Sequence, residues 1–420
     1  MKHFLHYATA IFLLGILLVS CNGTTTEPDR SEPDKNTFTY DVEYADSAVF
    51  VDSAGVSEYL VSFDEETQTY VFRANIPTLS DIKPGKQLLV FRKGLGEIVT
   101  VNTSGNSVTA TTKPTTLDKV FKNAMISWDR TIRFNKELVP QVVDRKGMSH
   151  IMTPVTADSF DLELEMGEYT YKISWKMLGD DANVYIHVEK KIYEALRARY
   201  SLVGKINKFS TSSAVTMQNS QLTQYRVSNP DVKGSVTMSV NCAGSGNEAV
   251  NLELPITLIK VPITVGPLIV MMNIKVQVVV NSVIPPDGSS LIDARFDYHS
   301  STGFSFEGGQ IKGLGAVGTY KMEKGSNAQT GASSAVAANF GLGFPRLEFS
   351  LFDNTILVPW VQTAMLLGGD FATGVNPCQQ ARAQFIGAAG ADFSAFGVTL
   401  KKNVTLWSVE KVLLKAGVCP

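Results

Sequence analysis

Between Phe160 and Val188 the side chains alternate between apolar and polar, and short glycine turns interrupt the pattern. Phe160, Leu162, Leu164 and Met166 alternate with Asp161, Glu163 and Glu165. Tyr169, Tyr171, Ile173, Trp175 and Met177 alternate with polar groups, and Val184-Tyr185-Ile186-His187-Val188 follows. A period of two puts successive side chains on opposite faces of a strand, so each run predicts one face in a core and one in water. Gly167-Glu168 and Gly179-Asp180-Asp181 supply the turns between them.

The same signals recur to the C-terminus. Strands are predicted at 236–240, 250–254, 256–262, 263–270, 274–280, 347–352, 355–361 and 398–413, the last broken by Lys401-Lys402-Asn403. Other breaks are expected at Asn229-Pro230-Asp231, Gly244-Ser245-Gly246-Asn247 and Pro285-Pro286-Asp287-Gly288. Pro255, Pro262 and Pro267 point to a bent or edge segment, since proline cannot donate to a sheet ladder. Residues 189–200 fit two patterns. Ile192, Leu196 and Tyr200 have helical spacing, whereas Val188, Ile192, Leu196, Tyr200 and Leu202 share one strand parity; the neighbouring strands favour strand. Many short strands with regular turns predict an all-β chain, with one large antiparallel β-sandwich or barrel over 128–420.

Ahead of it, residues 38–127 predict a small β domain. Phe38, Tyr40, Val42 and Tyr44 face one way, and Tyr59–Phe63 and Tyr70–Phe72 flank a hairpin tip at Asp64-Glu65-Glu66-Thr67. Further strands fall at 88–91, 98–101 and 108–112, and Thr116 is placed to cap a short helix over 117–124. The order of a Pro-Gly loop, a buried strand, a Gly turn, a Thr-rich hairpin and a helix over 58–126 resembles an N-terminal module of exported bacterial proteins. The resemblance implies a barrel-like or curled sheet and no activity.

The extreme N-terminus carries a different signal. Lys2, His3 and His6 precede an apolar run from Ile11 to Val19, too short to span a membrane as a helix, which ends at Leu18-Val19-Ser20-Cys21. These residues resemble the lipobox of bacterial lipoproteins. The resemblance implies a signal peptide over 1–20, acylation of Cys21 and anchoring to outer-membrane lipid. Residues 21–37 hold prolines and no apolar anchor, which predicts a flexible tether. Glu27, Asp29, Glu32 and Asp34 make it acidic, similar to the surface-export signal of Bacteroidota lipoproteins, and imply outward display, with the periplasmic face as the alternative.

With 38 Lys+Arg against 40 Asp+Glu among 420 residues, the chain offers no basic field for nucleic acid. Of the four cysteines, Cys378 and Cys419 are read as a disulfide that would tie down the C-terminus, at about 3–4 kcal/mol by the loop-entropy model. Cys242 is read as a buried thiol. The cysteines lack metal spacing and only His150, His187 and His299 follow residue 20, so neither a metal site nor a cofactor is predicted.

Gly313-Leu314-Gly315-Ala316-Val317-Gly318 has the spacing of a dinucleotide loop but lacks the following helix that would meet a pyrophosphate, so it reads as close-packed backbone or a bulge. Asp161, Glu163 and Glu165 read as a solvated strand face, and Asp180-Asp181 as turn residues, with a loop calcium site left open there. His187 reads as a polar strand position and His299 as the best single site candidate. Trp128, Trp175, Trp360 and Trp407 offer platforms for sugar stacking, although the parity of Trp175 places it in the core. The expectation is a lipid-anchored envelope protein without catalytic residues, structural or binding a glycan or another surface protein. A carrier of lipid or another hydrophobe is the alternative, with a secreted hydrolase after it.

Overall fold

The computed structural model describes residues 36–135, 138, 140–143, 148–191, 197–244, 248–284, 288–324, 329–332, 336–352, 354–372, 378–398 and 400–418. Three sheets account for the strands among the described residues, and the chain is all-β.

The smallest sheet orders its strands as Ala48–Val51, Gln87–Val90, Gly94–Ser104, Ser107–Lys113, Thr69–Arg73 and Leu60–Asp64. Val49, Val51, Tyr70, Phe72, Leu88, Val90, Ile98 and Ala110 fill its own core. The hairpin at Asp64 forms as expected: the Asp64 carboxylate accepts the Glu66 and Thr67 amides at 2.9 and 3.1 Å. A short helix, Ser53–Tyr59, was not expected; Asp52 caps it by accepting the Gly55 amide at 2.7 Å.

Two sequence expectations change here. The helix over 117–124 is only a 3-10 turn, Leu117–Lys119, and Thr116 makes no side-chain cap bond. Its apolar spacing instead serves a strand, Phe121–Ile132, in which Ala124, Ile126 and Trp128 share the buried parity. The boundary at 127–128 therefore falls inside a strand. Phe121–Ile132 pairs with Asn36–Tyr44, and both belong to the first large sheet rather than the small one.

That large sheet is built around Gln221–Gly244, a strand of 24 residues. Its first half pairs with Phe209–Gln218 and its second half with Arg197–Ile206, while Gly288–Glu307 runs beside most of its length. Asp181–Lys191, Tyr169–Leu178, Ser159–Met166 and Thr153–Thr156 continue the sheet beyond Arg197–Ile206. Of residues 189–200, those at 189–191 and 197–200 are strand but belong to two strands: Val188 pairs with Tyr200 and Glu189 with Arg199, while 192–196 lie outside the described residues.

The second large sheet runs Ser149–Ile151, Gln141–Val143, Glu248–Val265, Leu268–Ile284, Val336–Leu351, Asn354–Ala372, Cys378–Asp392, Lys401–Gly417. Pro255 and Pro262 lie on Glu248–Val265, whose second edge is paired, among the described residues, only at Thr257, so both prolines fall where few ladder donors are needed. Lys401-Lys402-Asn403 does not break the last strand but begins it. Lysines suit this edge position because their charge discourages further pairing.

The two large sheets pack face to face over one core. Trp128 meets Phe349 with ring centroids 6.3 Å apart, Tyr298 meets Phe385 at 5.6 Å and Tyr225 meets Phe396 at 5.3 Å. Trp175 is buried in this core, as its parity implied. The architecture is a β-sandwich.

Candidate functional site

Asn229-Pro230-Asp231 was expected to end a strand. It is instead a bulge inside Gln221–Gly244, where the register with Gly288–Glu307 slips between Asn229 and Val232. Pro230 has no N–H for the ladder, and the extra residue relieves that defect without ending the strand. On the opposite edge of Gly288–Glu307 a second slip falls between Tyr298 and Ser300, against Val317–Lys324. His299 sits between the two bulges, alternating with buried Tyr298 and Ser300, and so projects from the outer face.

The bulged Asp231 receives it. His299 Nε2 lies 2.6 Å from the Asp231 carboxylate, and Lys233 Nζ lies 3.2 Å from the same oxygen. Around this pair opens a groove of about 430 Å³ lined by Asn207, Lys233, Asp297, His299, Tyr320 and Lys321, among others. Tyr320 is 45 % exposed. Arg295 holds Asp297 through two guanidinium nitrogens at 3.1–3.2 Å. The groove thus offers amide, carboxylate, ammonium and imidazole groups beside an accessible aromatic residue. That mixture suits hydroxyl-rich ligands, which exchange many directional hydrogen bonds and present apolar ring faces.

The glycine motif lies on the rim of this region and has the conformation expected of it. Gln310–Leu314 and Val317–Lys324 are both strands. Gly315 joins them at φ +137°, and a Cβ there would meet the Ser301 carbonyl and Thr302 backbone. A left-handed backbone and close approach both require glycine.

Other candidates settle into structural roles. Asp161, Glu163 and Glu165 are exposed along Ser159–Met166, with Lys172 3.4 Å from Glu163. Asp180 accepts Arg133 at 2.9 Å, while Asp181 accepts Asn207 Nδ2 at 2.8 Å and the Lys208 amide at 3.0 Å. Their oxygens are thus engaged by protein donors, and no cluster that could hold a metal ion occurs among the described residues. Trp128 is buried. Trp407 donates Nε1 to the Ser301 carbonyl at 3.2 Å, tying the last strand to the first large sheet. Trp360 lies beneath the Arg346 guanidinium, 4.1 Å from its ring centroid. None of the four is an open platform.

His187 is a polar strand position, as read, but it is not isolated. Its Nδ1 lies 2.8 Å from the Ser201 hydroxyl, a contact that only the register of two strands reveals. Asp231, Lys233 and Tyr320 were missed for the same reason. Cys378 is buried and sits opposite Gly417. Cys419 and the 1–35 segment with Cys21 lie outside the described residues, as does the side chain of Cys242.

These features define an all-β sandwich with a small accessory sheet and a polar groove on one outer face. A family model described as "Domain of unknown function (DUF8403)" matches residues 33–123, the edge strand Asn36–Tyr44 and the small sheet, but less than half of the chain. No curated protein and no solved structure matches it.

Proposed function

We propose that this chain is a lipid-anchored protein of the cell envelope, displayed outward from the outer membrane, whose sandwich binds a surface glycan. The groove around His299 carries this reading. Its lining combines an exposed tyrosine with Asp297, Lys233 and Lys321, all placed by rigid strands, and with Asn207 from the short connection between Arg197–Ile206 and Phe209–Gln218. A carrier of hydrophobes would need an apolar cavity between the sheets, and that space is occupied by Trp128, Trp175, Tyr225, Phe304, Phe349 and Phe393. The anchor rests on the Cys21 motif and the acidic tether. The proposed disulfide between Cys378 and Cys419 is supported by the place of Cys378, which is buried and paired across the sheet with Gly417, two residues before Cys419.

The test is a glycan array probed with the full chain carrying Cys21→Ala, beside the His299→Ala and Tyr320→Ala variants. Binding that both substitutions abolish supports the reading; binding indifferent to both, or none across the array, overturns it. For the anchor, cell fractionation should show the Cys21→Ala chain released from the outer membrane. Protease shaving of intact cells should degrade the parent chain, and full protection would place it on the periplasmic side.

A further inference from the structure

Strand register lays a row of polar side chains across the outer face of the first large sheet: Glu163, Lys172, His187, Ser201, Ser239 and Asp293 are successive cross-strand partners. In its middle, His187 Nδ1 lies 2.8 Å from the Ser201 hydroxyl. The other ring nitrogen faces the Glu189 carboxylate at 3.8 Å. Glu189 shares the face because it is two residues along the same strand. Arg199, two residues before Ser201, approaches the same carboxylate at 3.5 Å. An Nε2–H turned toward Glu189 leaves the Nδ1 lone pair for the serine proton. Hydroxyl, imidazole and carboxylate thus stand in the order that activates a serine, on elements held rigid by paired neighbours on both sides.

We propose that Ser201, His187 and Glu189 form a nucleophile, base and positioning carboxylate for acyl transfer from carboxylic esters. Ser201 Oγ attacks the ester carbonyl carbon as its proton passes to His187 Nδ1. The C–O bond to the alcohol then breaks, and the imidazolium returns the proton to the departing oxygen. Water attacks the acyl-serine, giving one proton to His187; the carboxylic acid leaves as the serine oxygen takes that proton back. Glu189 stays ionised throughout and steadies the imidazolium. The Arg199 guanidinium is the nearby positive charge that favours the oxyanion. The site lies on a sheet face rather than in a deep pocket, so it suits ester groups projecting from a polymer or surface. This activity goes beyond glycan binding at His299 and does not depend on it.

The test uses the full chain with a fluorophosphonate probe, the modified residue located by mass spectrometry, and with p-nitrophenyl acetate as ester. The expected result is labelling at Ser201, lost in Ser201→Ala, and slowed at least about 100-fold in His187→Gln, in line with general-base catalysis. Glu189→Gln should lower kcat while leaving KM unchanged, which a merely structural loss would not do. Absence of label on Ser201, or label formed equally fast in His187→Gln, overturns the proposal. Should His187→Gln fail to fold, the labelled position in the parent and Ser201→Ala chains decides. Glycan binding retained by Ser201→Ala keeps the two sites distinguishable.

Discussion

Arg92 is joined twice to the hairpin that ends at Gly266-Pro267: its amide donates to the Pro267 carbonyl at 2.8 Å, and its Nε donates to the Gly266 carbonyl at 3.4 Å. These bonds fasten the small sheet to the second large sheet across 174 residues of sequence. Arg92 holds a left-handed backbone, φ +53°, to make them.

Arg92→Ala should therefore loosen the small sheet locally, at a cost of about 0.5–1.5 kcal/mol for the lost side-chain bond. Arg92→Gly should cost less, since glycine relaxes the backbone while losing the same bond. Hydrogen exchange should report faster exchange of the amides of Gln87–Val90 in both variants. Unchanged protection there would show that the bonds do not hold the sheet.

Gly387 faces the Trp407 ring so closely that a Cβ would overlap it. Trp407 packs on Phe385 at 4.6 Å and donates to Ser301, so it has little room to withdraw. Gly387→Ala should destabilise the chain by about 1–3 kcal/mol, the usual cost of overpacking. Urea unfolding followed by tryptophan fluorescence checks this; a midpoint equal to that of the parent would contradict it.

Acid should act through Glu348. Burial raises its pKa, but Lys275 at 2.5 Å and Arg346 at 2.7 Å outweigh burial and hold the carboxyl below its usual range. A depressed folded pKa means that the stabilisation is present above the ordinary glutamate value and is lost as pH falls through the folded one. Glu348→Gln should cost about 1–3 kcal/mol at neutral pH, because two cations lose their partner. Its melting temperature should also fall less steeply between pH 5 and 2 than that of the parent, about the window in which carboxylates titrate. Parallel curves would refute this assignment.

His299 and Asp231 are each nearly half exposed, and such pairs contribute at most about 1 kcal/mol. His299→Ala should leave the thermal midpoint almost unchanged while abolishing glycan binding. A large loss of stability in calorimetry would instead mark the pair as a structural clamp on the two bulges.

The sequence by itself determined the class of fold. Alternation such as that of Tyr171, Ile173, Trp175 and Met177 assigns a face to every residue of a strand, because the pleat has a fixed period of two. It also determined the close-packed glycines around Gly315, where φ excludes a side chain, and the solvated face of Asp161, Glu163 and Glu165. Periodicity is a local property, and it reads locally. The tertiary structure alone decided which strands are neighbours and in what register. Asn36–Tyr44 joins the large sheet because its partner is Phe121–Ile132, and Pro230 makes a bulge instead of an end because Gly288–Glu307 continues alongside. The same pairing brings Asp231 to His299 and Ser201 to His187. A shift of one residue in register would turn each partner to the opposite face. Long-range register therefore sets both candidate sites.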